Sequence, residues 1–211
     1  MSLIGTFDGL NIVSLTCDMM PCVCSPSSIE IGAMEAVAVN QSPLACAIQT
    51  YDWQASGWSG QVGFLSMNRH SFDAWSASIL SCRGQSNVFS LGDPKAILPK
   101  GPATGIPVVS GAGQTGYSLV SRGWVPNIIS ILLPGDLIQI GNRMYKLTAP
   151  ANFDSGGNST LSIWPNLRDA PADGTLIQTR NCNRLFRLAH NSANNFGTNV
   201  RLYRFGVTEA I

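Results

Sequence analysis

The fold is decided by residues 133–168, LPGDLIQIGNRMYKLTAPANFDSGGNSTLSIWPNLR. Two short runs, LIQI at 137–140 and RMYKL at 143–147, flank Gly141 and Asn142. A glycine-first pair of this kind is typical of the two-residue turn of a β-hairpin. The stretch therefore predicts an antiparallel hairpin.

A third strand completes this β-unit. The turn-forming sequence DSGGN at 154–158 precedes an apolar run at 160–164, as expected for a turn followed by a strand. We expect Pro165 to end the strand, because proline has no N–H to donate to a ladder. We therefore predict a small antiparallel β-barrel over residues 108–181.

One helix is predicted among many strands. In NRHSFDAWSASILSC, residues 68–82, apolar side chains recur every three or four positions, and Asn68 or Ser71 supplies an N-terminal cap. The short apolar runs between residues 5 and 63 indicate strands of an antiparallel sheet. One helix on many strands predicts a mainly β (α+β) class.

The domain organisation follows from the segment 92–107, GDPKAILPKGPATGIP, whose prolines and glycines predict a linker or an extended arm. The final segment, from Leu185, alternates apolar and polar residues, so we expect one or two strands that return to complete the first sheet. We therefore predict a split β-sandwich or barrel domain, 1–107 and 182–211, with one packed helix. The small barrel at 108–181 is inserted into it.

The composition indicates a surface that is covered by other chains. Charged residues make up 12% of the 211 residues, hydrophobic residues 45%, and the net charge is +1. Globular proteins average about 25% charged residues, so we expect much of the surface to lie against copies of this chain or other proteins. The alternative is a monomer kept in solution by Ser, Thr, Asn and Gln. A neutral balance argues against specific nucleic-acid binding.

No membrane or secretory segment is expected. No apolar run reaches the roughly 18 residues that a membrane helix needs. The N-terminal MSLIGTFDG lacks a basic segment followed by a long apolar core, so we expect cytoplasmic synthesis.

The six cysteines do not follow the spacing of a metal site. Three crowd into CDMMPCVC, and the others are isolated; in order they are Cys17, Cys22, Cys24, Cys46, Cys82 and Cys182. Zinc and iron–sulfur sites usually present paired cysteines two residues apart and a second pair further on. We therefore predict no metal and mostly reduced, buried thiols, with a disulfide in the early cluster as the open alternative.

The sequence GAGQTG at 111–116 fits a dinucleotide-binding pattern, but its context does not. Such a site needs a helix that begins at the glycines, and Gly123 and Pro126 interrupt the segment too early. We predict a glycine-rich turn and no cofactor.

Catalytic groups are few. His70 and His190 are the only histidines, and a thiolate of Cys82 or Cys182 paired with His190 has no local support. Four aspartates lie at predicted turns, where carboxylates cap backbone amides: Asp136, Asp154, Asp169 and Asp173. We predict no catalytic residue and no enzymatic activity.

The five tryptophans are dispersed, which favours core and interface anchors over a sugar or peptide groove. They are Trp53, Trp58, Trp75, Trp124 and Trp164.

Several segments resemble tail structural proteins of long, non-contractile-tailed bacteriophages, the distal tail or minor tail proteins. The resemblance covers residues 40–190, and its most specific parts are GQTG…GW, GDLIQIG and WPNLR. The other segments that carry it are SPLACAIQTYDW, FDAWSASILSCRGQSNVFSLGDP, LSIWPNLRDAPADGT and FRLA. The N-terminal stretch with Cys17, Cys22 and Cys24 departs from the family pattern.

The resemblance implies a non-enzymatic virion protein of the tail tip or baseplate. It implies a ring, hexameric in distal tail proteins, that joins the tail tube to the hub. The implied partners are copies of this chain, the tail tube protein, the hub and other tail-tip proteins. If DNA passes through the ring, we expect acidic or neutral residues in the lumen, because basic ones would retard a polyanion.

Three alternatives stay open. The first is another tail-tube, tail-completion or tail-tip subunit, with an iron–sulfur site in the cysteines. The second is a host-glycan-binding module that uses the inserted barrel. The third is a hydrolase that joins His190 to a carboxylate or thiol.

Overall fold

The chain folds as a mainly β protein, as the computed structural model shows for residues 3–7, 9–13, 26–44, 46–65, 67–93, 96–126, 129–190 and 203–210. Strands account for 53% of it and helix for 8%, which confirms the predicted class. The strands are β1 Leu3–Phe7, β2 Leu10–Val13, β3 Ser28–Gln41, β4 Ile48–Phe64, β5 Val88–Gly92, β6 Gly105–Val109, β7 Gly116–Trp124, β8 Leu137–Ile140, β9 Arg143–Leu147, β10 Ser159–Leu167, β11 Ile177–Gln178, β12 Asn183–Leu188 and β13 Tyr203–Glu209. The helix α1 is Arg69–Ser81.

The chain divides into two compact units. The first comprises Met1–Gly32, Trp58–Lys95 and Asn183–Ile211, and the second comprises Ala33–Gly57 and Ala96–Cys182. The start of β3, up to Gly32, and the end of β4, from Trp58, thus belong to the first unit. The rest of these two strands and the connection between them belong to the second unit.

The first unit is built on a seven-stranded sheet with the strand order β1-β2-β5-β12-β13-β4-β3. Strands β12 and β13 return to this sheet, as predicted for the final segment. Strand β2 pairs with β5 in parallel, whereas β1 pairs with β2 in the antiparallel sense predicted for the strands between residues 5 and 63. Parallel pairing requires a long connection, and the chain between these strands includes β3, β4 and α1.

Helix α1 begins where the sequence predicts. The side chain of Asn68 accepts a hydrogen bond of 2.8 Å from the backbone N–H of Ser71, which caps the first turn. Phe72, Trp75 and Ile79 are buried on one face, and the ring centroid of Trp75 lies 4.6 Å from that of Phe64. This face anchors the helix to β4.

A buried ion pair lies in the same unit. The guanidinium of Arg184 pairs with the carboxylate of Glu209, and both side chains are almost fully buried. Glu209 also accepts a 3.1 Å hydrogen bond from the backbone N–H of Trp58. The guanidinium carbon lies 5.4 Å from the Trp58 ring centroid, which adds a cation–π contact.

The second unit contains a six-stranded sheet with the order β11-β8-β9-β10-β7-β6. Its two end strands approach each other at the bridge between Val108 and Leu176, so the sheet is a nearly closed barrel. The predicted hairpin is confirmed with its bounds, β8 and β9, and Gly141 at the turn has a φ of 57°. The interior is filled by apolar side chains, including Leu119, Trp124, Ile138, Leu161 and Ile163.

Pro165 does not end the third strand of this unit. Strand β10 runs through it to Leu167, so that prediction is wrong. The register with β7 shifts between Ser162 and Leu167, and a bulge is a position where a strand tolerates a residue without an N–H.

The segment predicted as a linker, 92–107, is largely part of the second unit, which resumes at Ala96. The buried carboxylate of Asp136 accepts hydrogen bonds from the backbone N–H groups of Lys100, at 2.8 Å, and Gly101, at 3.3 Å. The unit therefore begins before the predicted boundary at 108, and it also takes in residues 33–57, which the prediction assigned to the first domain.

Candidate interaction surface

The histidines and the described cysteines do not form a reactive site. His70 and His190 are exposed, and Cys46 is exposed, whereas Cys82 and Cys182 are buried. Burial raises the pKa of Cys82 to about 11 and that of Cys182 to about 12, so neither is a thiolate at neutral pH. Among the described residues, no group of three or more His, Cys, Asp or Glu side chains is placed to hold a metal ion. The cysteine cluster at 17, 22 and 24 lies outside the described residues.

Three of the four turn aspartates cap backbone amides, as predicted. Asp136 also accepts from the N–H of Leu133 at 2.8 Å. Asp154 accepts from Gly156 and Asn158, and Asp173 accepts from Gly111 at 2.7 Å. Hydrogen bonds from the amide N–H groups, that of Asn158 foremost, lower the pKa of Asp154. The fourth, Asp169, forms an ion pair of 3.0 Å with Arg143 instead. These carboxylates hold loops in place.

The glycine-rich sequence 111–116 is a turn between β6 and β7, as predicted. Gly111 and Gly113 have φ values of 90° and 77°, a conformation that glycine adopts readily. The Gln114 amide closes the turn, because it donates to the carbonyl of Ser110 at 2.8 Å and accepts from the N–H of Val120 at 2.6 Å. No helix begins at these glycines, so the geometry of a dinucleotide site is missing from this part of the chain.

The tryptophans divide into core and surface positions. Trp58, Trp75 and Trp124 are buried. Trp164 is half-buried, and Trp53 is 64% exposed. Because Trp124 fills the barrel interior beside Phe153, at a centroid distance of 4.7 Å, it is not presented to a sugar.

The most exposed apolar feature is the far end of the β3–β4 hairpin, residues 33–55, which we call the arm. Every described residue of the arm except Ser42 is exposed. Strand β13 pairs with β4 along Ser59–Phe64, and the arm extends beyond this pairing. Its exposed large apolar residues are Met34, Val37, Val39, Leu44, Ile48, Tyr51 and Trp53.

The arm carries an aromatic pair on one face. The rings of Tyr51 and Trp53 meet edge to face with centroids 4.7 Å apart, although each side chain is 60% or more exposed. Two-stranded ribbons are marginally stable in water by themselves. Aromatic residues are enriched in protein interfaces, so the arm has the chemistry of a contact surface.

Alternate residues of β10 and its extension anchor the base of the arm within the second unit. The indole Nε1 of Trp164 donates to Glu35 Oε1 at 2.7 Å. The Asn166 side-chain amide donates to the carbonyl of Gln54 at 3.0 Å, and Arg168 donates to the carbonyl of Ser56. Alternate residues of an extended segment point to one side, so the end of β10 and the residue after it hold the base of the arm.

The charge of the chain is segregated along the sequence. The first 68 residues contain no lysine or arginine, and all 13 basic residues follow. The acidic residues of this first part are Asp8, Asp18, Glu30, Glu35 and Asp52. The arm is therefore apolar and acidic.

The exposure of the arm is not among the features predicted from the sequence. The runs EAVAVNQSP and ACAIQTYDW each resemble an ordinary strand of a sheet, which is what the prediction of strands between residues 5 and 63 expressed. Two signals were available: the apolar residues stand at both odd and even positions of these runs, and no basic residue accompanies them.

Comparison with known proteins adds no relative: no protein-family model matches the chain, and no curated protein matches it. None of the helices in the described part of the chain is long and apolar enough to cross a membrane.

Proposed function

We propose that this chain is a non-enzymatic structural protein of the tail tip of a long, non-contractile-tailed bacteriophage. In this proposal its copies form a ring, as in distal tail proteins, that joins the tail tube to the hub. The ring would be a virion component, and its lumen would let DNA pass. The tail tube protein, the hub and other tail-tip proteins are its further partners.

The observation that carries the proposal is the arm. Seven large apolar side chains stand exposed on a hairpin in which only Ser42 among the described residues is partly covered. Large apolar patches on a soluble protein usually mark contact sites. Together with the low content of charged residues, 12%, this favours a protein whose surface is covered by neighbouring chains.

Two further observations support a structural role. The four aspartates at turns are engaged with backbone amides or with Arg143, and the two buried thiols are protonated at neutral pH. The resemblance of residues 40–190 to distal tail proteins supports the particular place in the virion.

Negative-stain electron microscopy of the purified chain tests the proposal. We expect rings with a central hole, and six-fold class averages would match distal tail proteins. Fields that contain only small, separate particles at every protein concentration would contradict it.

A further inference from the structure

A second surface of the chain complements the arm. Strands β6 and β11 meet at the bridge between Val108 and Leu176, where the N–H of Val109 donates to the carbonyl of Thr175 at 2.9 Å. On one side of this bridge the two strands leave an open cleft of about 470 Å³, lined by residues 103–107 and 176–180. The barrel is thus open along part of the junction between β6 and β11, and we call this opening the seam cleft.

The cleft is apolar and has a cation among its lining residues. Ala103, Pro107 and Ile177 are buried within its lining, whereas Ile106 is 75% and Leu176 is 56% exposed. The lining contains no acidic residue, and Arg180 is its one charged side chain. Such a cleft can bind an apolar side chain, and Arg180 can pair with a carboxylate that lies near that side chain.

The tip of the arm carries an exposed apolar side chain, and the arm carries acidic residues. Leu44 is 97% exposed, so its side chain is not inserted into the cleft of its own chain. It stands in the short connection closed by the hydrogen bonds from Ser42 N–H to the carbonyl of Ala47, at 2.9 Å, and from Cys46 N–H to that of Ser42, at 3.1 Å. The acidic Asp52 lies on the following strand, and the arm has no basic residue.

We infer that the arm of one copy docks in the seam cleft of a second copy, with Leu44 entering the cleft and the acidic arm facing Arg180. This inference rests on the proposed assembly of the chain and specifies its contact. Two different surfaces of one chain that fit each other produce a head-to-tail contact, which closes into a ring when the rotation between copies permits. The partner of the arm is therefore another copy of this chain.

Photocrosslinking tests the contact directly. A photoreactive benzoylphenylalanine is incorporated at position 44, where the side chain is almost fully exposed and its replacement leaves the fold intact. After irradiation, covalent dimers are separated and digested, and the crosslinked peptides are identified by mass spectrometry. We expect crosslinks to peptides that contain residues 103–107 or 176–180. Oligomers whose crosslinks lie elsewhere would overturn this inference and leave the proposed assembly standing.

The second test compares the concentration for half-assembly of two matched variants. Leu44→Asp places a charge at the tip, whereas Ile129→Asp does the same at a residue that is 79% exposed and lies outside the arm and the cleft lining. We expect Leu44→Asp to raise the concentration for half-assembly roughly tenfold or more, since a buried leucine contributes at least that factor. Ile129→Asp should leave it unchanged. Equal assembly of both variants would overturn the inference, and a wild-type chain that never assembles would overturn the proposed function as well.

Discussion

The indole Nε1 of Trp164 donates a hydrogen bond of 2.7 Å to the carboxylate of Glu35, 129 residues away in the sequence. This bond joins the barrel to the arm. The tryptophan belongs to the segment WPNLR, which forms the end of β10 and the residue that follows it.

Removal of this bond should loosen the arm. Trp164→Phe keeps an aromatic ring and loses the donor, at a cost of about 1 kcal/mol. We expect backbone amides of residues 33–41 to exchange with deuterium about fivefold faster, because local opening governs their exchange. Glu35→Gln keeps an acceptor and should give a smaller change. Unaltered exchange in Trp164→Phe would show that the bond does not restrain the arm.

The buried pair of Arg184 and Glu209 should be costly to break and tolerant of joint replacement. Arg184→Met leaves the Glu209 carboxylate without its guanidinium in the core, and we expect a loss of about 3–5 kcal/mol in the free energy of unfolding. Urea denaturation measures it.

The double variant Arg184→Met/Glu209→Gln removes both charges and retains an acceptor for the N–H of Trp58. It should recover much of the lost stability. A double variant as unstable as Arg184→Met would contradict this account, because the loss would then come from packing alone.

The buried thiols should make the protein sensitive to alkali. A thiol in the unfolded chain loses its proton near pH 9.0, whereas burial raises the pKa of Cys82 to about 11 and that of Cys182 to about 12. The unfolded state therefore binds fewer protons between these values, so stability is retained below pH 9 and declines as the pH rises through this window.

Reaction with a thiol reagent at pH 8 measures the burial of Cys82 and Cys182, which is the cause of their raised pKa. With Cys17, Cys22 and Cys24 replaced by serine, the exposed Cys46 should react fast, and Cys82 and Cys182 should react only after unfolding. Fast labelling of three thiols in the folded protein would contradict their burial.

Local chemistry explains which parts of the fold could be predicted. The β8–β9 hairpin depends on Gly141 and its two-residue turn, and helix α1 depends on the Asn68 cap, so both were found with nearly correct bounds. The capping roles of Asp136 and Asp154 likewise follow from turn chemistry.

The features of the fold that could not be predicted from the sequence depend on contacts between distant residues. The parallel pairing of β2 with β5 depends on how the sheet is assembled, and the passage of β10 through Pro165 depends on a bulge against β7. The composition of the arm does not distinguish a strand that packs on the core of its own chain from one that contacts another chain. Its only sequence signals are the apolar residues at both odd and even positions and the absence of a basic residue.

Light scattering of the purified protein over a range of concentrations measures whether the arm makes the chain assemble. We predict a mass that is a multiple of 22.5 kDa. It should fall toward that of one chain in Trp53→Ser, whose indole is 64% exposed on the arm. The control Ile129→Ser, at an exposed residue outside the arm, should assemble like the wild type. A wild-type mass of 22.5 kDa at every concentration, or a Trp53→Ser variant that assembles as well as the control, would contradict the account.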